Sequence, residues 1–355
     1  MNDQIPPRLN YVAGLSWRIL TIIALIGVFI FMVIQLKVIV IPFLVALLIT
    51  ALLFPLVEWM TRKGIKKGLA VAISLVLMVS VIGGLGFLVT KQVQSSYPQL
   101  RDQFSTFVSD TRTTLSQEPF NIGRGDVDNY AEEASKYVQE NSQTFITGVS
   151  SVGVTAGHVA AGIFLGFFSI IFLLLDGKNI WRWLSNLFPR SSRKNLFEAG
   201  LSGWKTLVSF VKSQVMVAGV DAIGIGLGAF ILQVPLAIPI TVMVFLGSFI
   251  PVVGAVVTGI IAVILALIFN GWVSAVLMLG VVLLVQLLEG HVLQPFLIGK
   301  AVKIHPLAIV LAVAAGSLLA GIPGALFAVP MVAFLNVLLT ALLSRREAKI
   351  KTATN

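Results

Sequence analysis

The chain has 355 residues, 57% of them apolar and only 11% charged, with a mean hydropathy of +0.98 and a formal net charge of +10. That balance excludes a soluble globular domain and marks an all-α, polytopic membrane protein. The absence of cysteine excludes disulfides, thiolate metal sites and cysteine nucleophiles.

Residues 1–90 hold the first three spans. A lead of residues 1–18, with Trp17 and Arg18 at the interface, precedes the uncharged run 19–36, which is long enough to cross. No short apolar core with a small-residue cleavage site follows Arg8 and Arg18, so this run is expected to stay as a span. After Lys37 the chain returns through 38–57, with Pro42 and Pro55 near its two ends, where helices tolerate proline best. Arg62, Lys63, Lys66 and Lys67 then form a strong marker of the inner side. Residues 68–90 cross outward, and Gly83, Gly84 and Gly86 offer a face for close helix contact.

Residues 91–150 carry five basic and eight acidic residues and are expected outside. Val93, Tyr97, Leu100, Phe104, Phe107 and Thr111 fall on one helical stripe. After Pro119, Gly123 and Gly125 a second stripe begins with Val127, Tyr130, Ala134, Tyr137 and Val138. The pattern predicts an external amphipathic hairpin prolonging spans three and four, either as a subunit-contact or gating element or as a small solvated cap. Residues 151–175 form the fourth span, where His158 reads as a hydrogen-bonded packing residue rather than a ligand. Residues 176–212 hold seven basic and two acidic residues and are expected in the cytoplasm. Trp181, Trp183, Leu184, Leu187 and Phe188 beside Arg182 suggest helices lying along the inner interface. On this placement nineteen of the 25 basic residues face one side, so the positive charge answers to lipid and not to nucleic acid.

Residues 213–344 read as a C-terminal transport bundle. The fifth span, 213–232, carries Gln214, Asp221 and a ladder of Gly219, Gly224, Gly226 and Gly228. Residues 236–269 are too long for one span and awkward for two. Pro251 and Gly254 near the midpoint suggest a re-entrant hairpin. Asn270-Gly271-Trp272 is the outer turn, and 272–288 goes back inward. The stretch 289–306 then places Glu289, His291, Gln294, Lys300, Lys303 and His305 between two long uncharged runs. Such a cluster faces protein or water, because hydrocarbon cannot solvate it. Pro295, Gly299 and Pro306 argue against a continuous helix there. It reads either as a broken-helix site lining a solute or ion path, or as an ordinary cytoplasmic loop. The last run, 306–344, is split at Gly321, Pro323 and Gly324, with Pro330 further on, and the basic tail 345–355 is expected inside. Eight full crossings with one re-entrant hairpin would leave both termini in the cytoplasm.

At this point the chain resembles the autoinducer-2 exporter family of bacterial membrane proteins, over roughly residues 10–340. The likeness rests on Phe54-Pro55-Leu56-Val57 ahead of a basic turn and on Phe172-Leu173-Leu174-Leu175-Asp176-Gly177. It continues through Ile250-Pro251-Val252-Val253-Gly254, then Glu289, Leu293-Gln294-Pro295, Gly299 and His305-Pro306, and ends with Gly321, Gly324-Ala325 and Val329-Pro330. The resemblance implies about eight spans, a homo-oligomer in the bacterial inner membrane and transport of small solutes. Members are associated with export of the quorum-sensing furanone autoinducer-2, and some with sodium or lithium/proton antiport. His291 stands where a family asparagine is expected, and Asp221 belongs to no family motif and inherits no role.

Read as chemistry, Pro251/Gly254 and Pro323/Gly324 are two hairpin tips whose free backbone groups could coordinate a polar solute or cation. Glu289, with Gln286 on the same helical face and Gln294 just after, could supply charge and donors and hold a proton or a cation. The expected function is a secondary exporter of a small polar solute, or an exchanger of Na⁺ or Li⁺ for H⁺, driven through Glu289 or Asp221. Each carboxylate also has a structural reading: a helix-end salt bridge to Lys300 or Lys303 for Glu289, and packing against the glycine ladder for Asp221. A passive channel or a scaffold without transport is the alternative. An enzyme is not expected, because the His-Glu-x-x-His, Gly-x-Ser-Gly and Gly-x-Gly-Asp patterns are absent. No phosphate-binding glycine-rich loop is present, so ATP is not the expected direct energy source. Neither a cofactor nor a metal site is expected.

Overall fold

The computed structural model describes residues 7–115, 156–250, 253–293 and 305–353. Among these there is no strand. The helices are α1 (Pro7–Gln35), α2 (Lys37–Arg62), α3 (Lys67–Leu115), α4 (Ala156–Asn186), α5 (Arg190–Ile231), α6 (Ala237–Gly247), α7 (Val253–Leu288) and α8 (Pro306–Ala353). A π-helical turn, Glu289–Leu293, prolongs α7. Helices dominate because a backbone in hydrocarbon must satisfy every N–H and C=O within its own segment.

Six helical stretches among the described residues are long and apolar enough to cross a membrane, and α1 holds a shorter apolar piece, Gly14–Leu25. Length and composition of the described residues do not confirm the expected eight crossings. Two of the six are also not straight rods. In α7, Gly271 leaves helical geometry at φ 81° and ψ −177°. A Cβ built on Gly259 would stand 2.7 Å from the Val282 side chain. On one straight helix these residues would lie about 35 Å apart, so the two arms run antiparallel from the turn at Asn270-Gly271-Trp272. In α8 the break falls at Ala320 and Gly321, the latter at φ 61°. Gly316 and Gly324 approach so closely across that tip that a Cβ on either would overlap the other's carbonyl. Gly247 and Gly254 make the same kind of contact between the end of α6 and the start of α7. Residues 237–353 thus double back three times, twice through glycine-to-glycine backbone contacts that no larger residue allows.

The N-terminal helices form one packed group. Leu53, Val57, Met60, Val71, Leu75, Ile170 and Leu174 meet between α2, α3 and α4. Gly162 and Gly166 of α4 lie against Pro42 of α2, which admits the proline ring into the interface. Gly83, Gly84 and Gly86 have nothing within reach of a Cβ among the described residues, so none of these supplies the expected close helix contact. A second core joins α5, α6 and α7 through Ile225, Ala229, Ile240, Val244, Ala262, Met278 and Val282. The ladder supports it: Gly224 and Gly228 admit Val285 and Val281, and Gly226 admits Thr241, whereas Gly219 meets none of the described residues.

One boundary differs from expectation. Residues 176–212 are not separate interfacial helices: they are the end of α4 and the first half of α5, joined by a short turn. Trp181 lies over Gly200 and donates from Nε1 to the Phe197 carbonyl at 3.1 Å, which ties the two helices together at that turn. Trp183 remains 64% exposed, on the outside of the same helix end. At the other end, α3 runs 49 residues without a break at Pro98, about 74 Å at 1.5 Å per residue and well beyond a bilayer core. The first stripe therefore continues span three. The second stripe, from Val127 to Val138, lies outside the described residues, and so does the side chain of His158.

Candidate functional site

The buried face of α5 recurs at Leu207, Val211, Gln214, Val217, Ala218, Asp221 and Ile225, the spacing of one helical stripe. Two of these residues are polar. Gln214 and Asp221 are seven residues apart, hence two turns apart on one face. Both reach the hairpin tip that follows α6. Ser248 Oγ donates to Asp221 Oδ2 at 2.9 Å, and Gln214 Nε2 donates to the Ser248 carbonyl. One tip residue is therefore held twice, once through its side chain and once through its backbone. The tip itself closes by Ile250 N–H to the Gly247 carbonyl (2.8 Å) and Gly254 N–H to the Ile250 carbonyl (3.0 Å). Thr258 then donates back to the Gly254 carbonyl at 2.9 Å.

Asp221 is fully buried, yet its second oxygen, Oδ1, has no hydrogen-bond partner among the described residues. Buried polar atoms are nearly always paired, so an orphaned carboxylate oxygen marks a place where a proton, an ion or a solute group would be welcome. Gln286 Nε2 and Ser274 Oγ on the second arm of α7 are also buried with no hydrogen-bond partner among the described residues.

The second carboxylate follows from helix register. Gly228 packs on Val281, and Gly224 packs on Val285, so α5 and the second arm of α7 run antiparallel in steps of four. One further turn brings Val220 and Asp221 level with Leu288 and Glu289. In agreement, the π-helical turn that Glu289 opens lies in contact with α5. Glu289 is half-buried and opens the π-helical turn, and Gln286 sits one turn before it. Single π turns recur at functional positions because they re-aim side chains without ending the helix. Two acids in one low-dielectric space repel each other unless a proton or cation accompanies them.

The other expected positions fall as follows. His291 is exposed, with Nδ1 3.2 Å from the Leu287 carbonyl, and the structure does not bring it to the Asp221 cluster. Pro251, Gln294, Pro295 and Gly299 lie outside the described residues, as do Lys300 and Lys303. Pro306 opens α8, at the first-turn position where proline's missing donor does no harm. His305 Nδ1 accepts from Leu307 N–H at 3.2 Å, just ahead of that helix. Pro323 and Gly324 follow the tip of the α8 hairpin, whose break disposes of an unbroken rod at that point. Sequence reasoning missed Ser248. The available signal was its isolation: it is the only hydroxyl between Thr241 and Thr258, three residues before Pro251. Gln92 was missed as well. From α3 it donates to the Pro235 carbonyl at 2.7 Å and accepts from Ile238 N–H at 3.2 Å, fastening the turn that enters α6.

A family model described as AI-2E family transporter matches residues 19–344. A Mycobacterium tuberculosis protein that carries a transport-protein name is 36% identical over 332 residues, covering 94% of this chain and 90% of its own length. YrrI of Bacillus subtilis, which carries a similar name, is 27% identical over 352 residues, covering 94% and 97%. The AI-2 transport protein TqsA of Escherichia coli K12 is 25% identical over 309 residues, covering 85% of each chain.

Proposed function

The chain belongs to the AI-2E transporter family, and from that premise we propose that it is a secondary transporter whose hairpin-built C-terminal half moves against α1–α4. At the coarser level it is a multi-pass membrane protein with a role in transport, and the names of its relatives are those of transporters and not of enzymes. The observation that carries the proposal is the tether at the α6–α7 tip, where Ser248 hangs from Asp221 and Gln214 while Asp221 Oδ1 is left unpaired. A charged carboxylate accepts the Ser248 hydroxyl strongly. A proton or a cation arriving at Oδ1 weakens that bond and frees the tip. Glu289, one register step away, takes up the same proton or ion as the bundle shifts, so ion movement and tip movement become one event. Broken helices at mid-membrane are where such coupling is built in other transporter folds.

The cargo follows less directly. Export of a small autoinducer-2-like signalling molecule is the first reading, supported by the name of the E. coli relative. Exchange of Na⁺ or Li⁺ for H⁺ is the second, supported by the paired acids, which serve such an exchange without any organic solute. The reading places the protein in the bacterial cytoplasmic membrane as a homo-oligomer, with both termini in the cytoplasm, in keeping with the one-sided basic residues. A passive channel would conduct without coupling, and a scaffold would show no flux. Purified protein in proteoliposomes, carrying Asp221→Asn or Glu289→Gln, tests the mechanism under imposed pH and sodium gradients. Gradient-driven flux should fall at least tenfold in each variant. Unchanged rate and ion dependence in both would remove the coupling scheme.

A further inference from the structure

Far from the tether, the α2–α3 turn and the end of α4 gather positive charge at one end of the N-terminal group. Met60, Ala70 and Leu174 are buried in the core that α2, α3 and α4 share. Lys63 and Lys66 belong to the turn just beyond Met60 and Ala70, which Gly64 makes at φ 93°. Lys178 lies four residues past Leu174, hence one turn further on the same face of α4. Lys67 Nζ donates to the Leu175 carbonyl at 2.6 Å, which pins the start of α3 to α4 just before Lys178. Acids nearby do not cancel this charge. Glu58 is taken by Arg62 at 2.7 Å, and Asp176 accepts from Asn179 Nδ2 at 2.6 Å. Asp176 also stands two residues before Lys178, about 200° round the helix. Lys63, Lys66 and Lys178 are exposed and have no hydrogen-bond or ion-pair partner among the described residues.

We propose that Lys63, Lys66 and Lys178 form a headgroup site for an anionic phospholipid of the phosphatidylglycerol class, with its acyl chains along α3 and α4. Charge complementarity carries the headgroup: three unpaired ammonium groups at one helix-bundle end suit a phosphodiester, which lysine binds as a point charge. The neighbouring surface carries the chains. The outward faces of the same two helices stay apolar and exposed at Leu69, Ile73, Phe168 and Phe172. Trp59, one turn before Lys63, is exposed as well, as tryptophans at headgroup level are. A soluble anion would meet the lysines alone, whereas a lipid satisfies the lysines and the apolar strip together. An occupied site joins the ends of α2, α3 and α4 through one ligand and steadies the group against which the hairpin half works. That consequence rests on the transport reading, whereas the binding site does not.

The test is native mass spectrometry of the purified protein titrated with dioleoyl phosphatidylglycerol and, separately, with dioleoyl phosphatidylcholine. A lysine near an anionic surface contributes about fivefold in affinity, so Lys63→Gln/Lys66→Gln/Lys178→Gln should weaken phosphatidylglycerol binding by about a hundredfold. Phosphatidylcholine binding should not change. Arginine at the same three positions should keep the preference. Arg190→Gln/Lys194→Gln/Lys205→Gln removes equal charge from α5 and should leave it intact. If the first triple variant misfolds, Lys178→Gln alone should still cost about fivefold. Equal losses in the two glutamine triples would reduce the effect to net charge and overturn the proposal. So would equal affinity of the parent for the two lipids. Displacement of the lipid by millimolar inorganic phosphate would mark a soluble-anion site and would overturn it too. Flux in proteoliposomes separates the two readings. Selective phosphatidylglycerol binding without any coupled flux upholds the site and removes the transporter. Coupled flux without lipid selectivity removes the site alone.

Discussion

Replacing Ser248 by alanine isolates the tether. The side chain is only 4% exposed, and its hydroxyl is the donor to Asp221 Oδ2. Alanine removes that donor and leaves both carboxylate oxygens without a described partner, while the backbone bond from Gln214 persists. A hydrogen bond to a charged group is worth about 1.5–3 kcal/mol. A change of about 2 kcal/mol shifts the balance between a docked and a freed tip roughly thirtyfold. Because the chain has no cysteine, Ile250→Cys introduces a single reporter thiol at the tip. Its rate of labelling by a water-soluble maleimide measures how often the tip is exposed. The double variant Ser248→Ala/Ile250→Cys should label about thirtyfold faster than Ile250→Cys alone, and gradient-driven flux should lose its ion dependence. Ser248→Thr, which retains a hydroxyl, should bring both values back toward the parent. A labelling rate within twofold of the parent, with coupling intact, would show that the Ser248–Asp221 bond does not govern the tip.

Three further substitutions probe the frame around the site. Gly254→Ala places a methyl group into the Gly247 carbonyl, and such overpacking costs about 1–3 kcal/mol. The variant should therefore unfold at a clearly lower temperature in detergent, and an unchanged melting point would refute the close approach. Gln92→Ala removes both bonds to the turn at Pro235 and Ile238, each worth about 0.5–1.5 kcal/mol. Amide hydrogen exchange at Ile238 should accelerate by about tenfold or more, and equal protection would place the fastening elsewhere. Gly83→Ala meets open space and gains about 0.5–1 kcal/mol of helix propensity. Its melting temperature should hold or rise, and a fall would show that another subunit covers this face.

The places where sequence and structure diverge are instructive about what a chain of this kind displays. Gly83, Gly84 and Gly86 looked like a packing face because small residues permit close approach, but permission does not supply a neighbour, and none of the described residues is one. The same residue type at 224, 226 and 228 does meet one, because α5 is enclosed by α6 and α7. The split of residues 176–212 into interfacial helices failed for a related reason. Charge and tryptophan mark a membrane boundary, yet a helix can pass through that boundary unbroken when Trp181 finds Gly200 to cover.

Composition by itself determined that the protein is helical and embedded, since hydrocarbon leaves an uncharged backbone few other ways to satisfy its hydrogen bonds. Proline and glycine near 251, 271 and 321 also marked where the C-terminal half turns back, because those residues weaken a helix locally wherever they stand. Only the tertiary structure decided which side chains meet at the turns. Ser248 is unremarkable among its apolar neighbours until the hairpin places it between Gln214 and Asp221, 34 and 27 residues away. Glu289 came forward from its charge, but its place level with Asp221 depends on the register of two antiparallel helices about 60 residues apart in sequence. Periodicity along one helix cannot encode that register, which is set by Val281 and Val285 seating against Gly228 and Gly224.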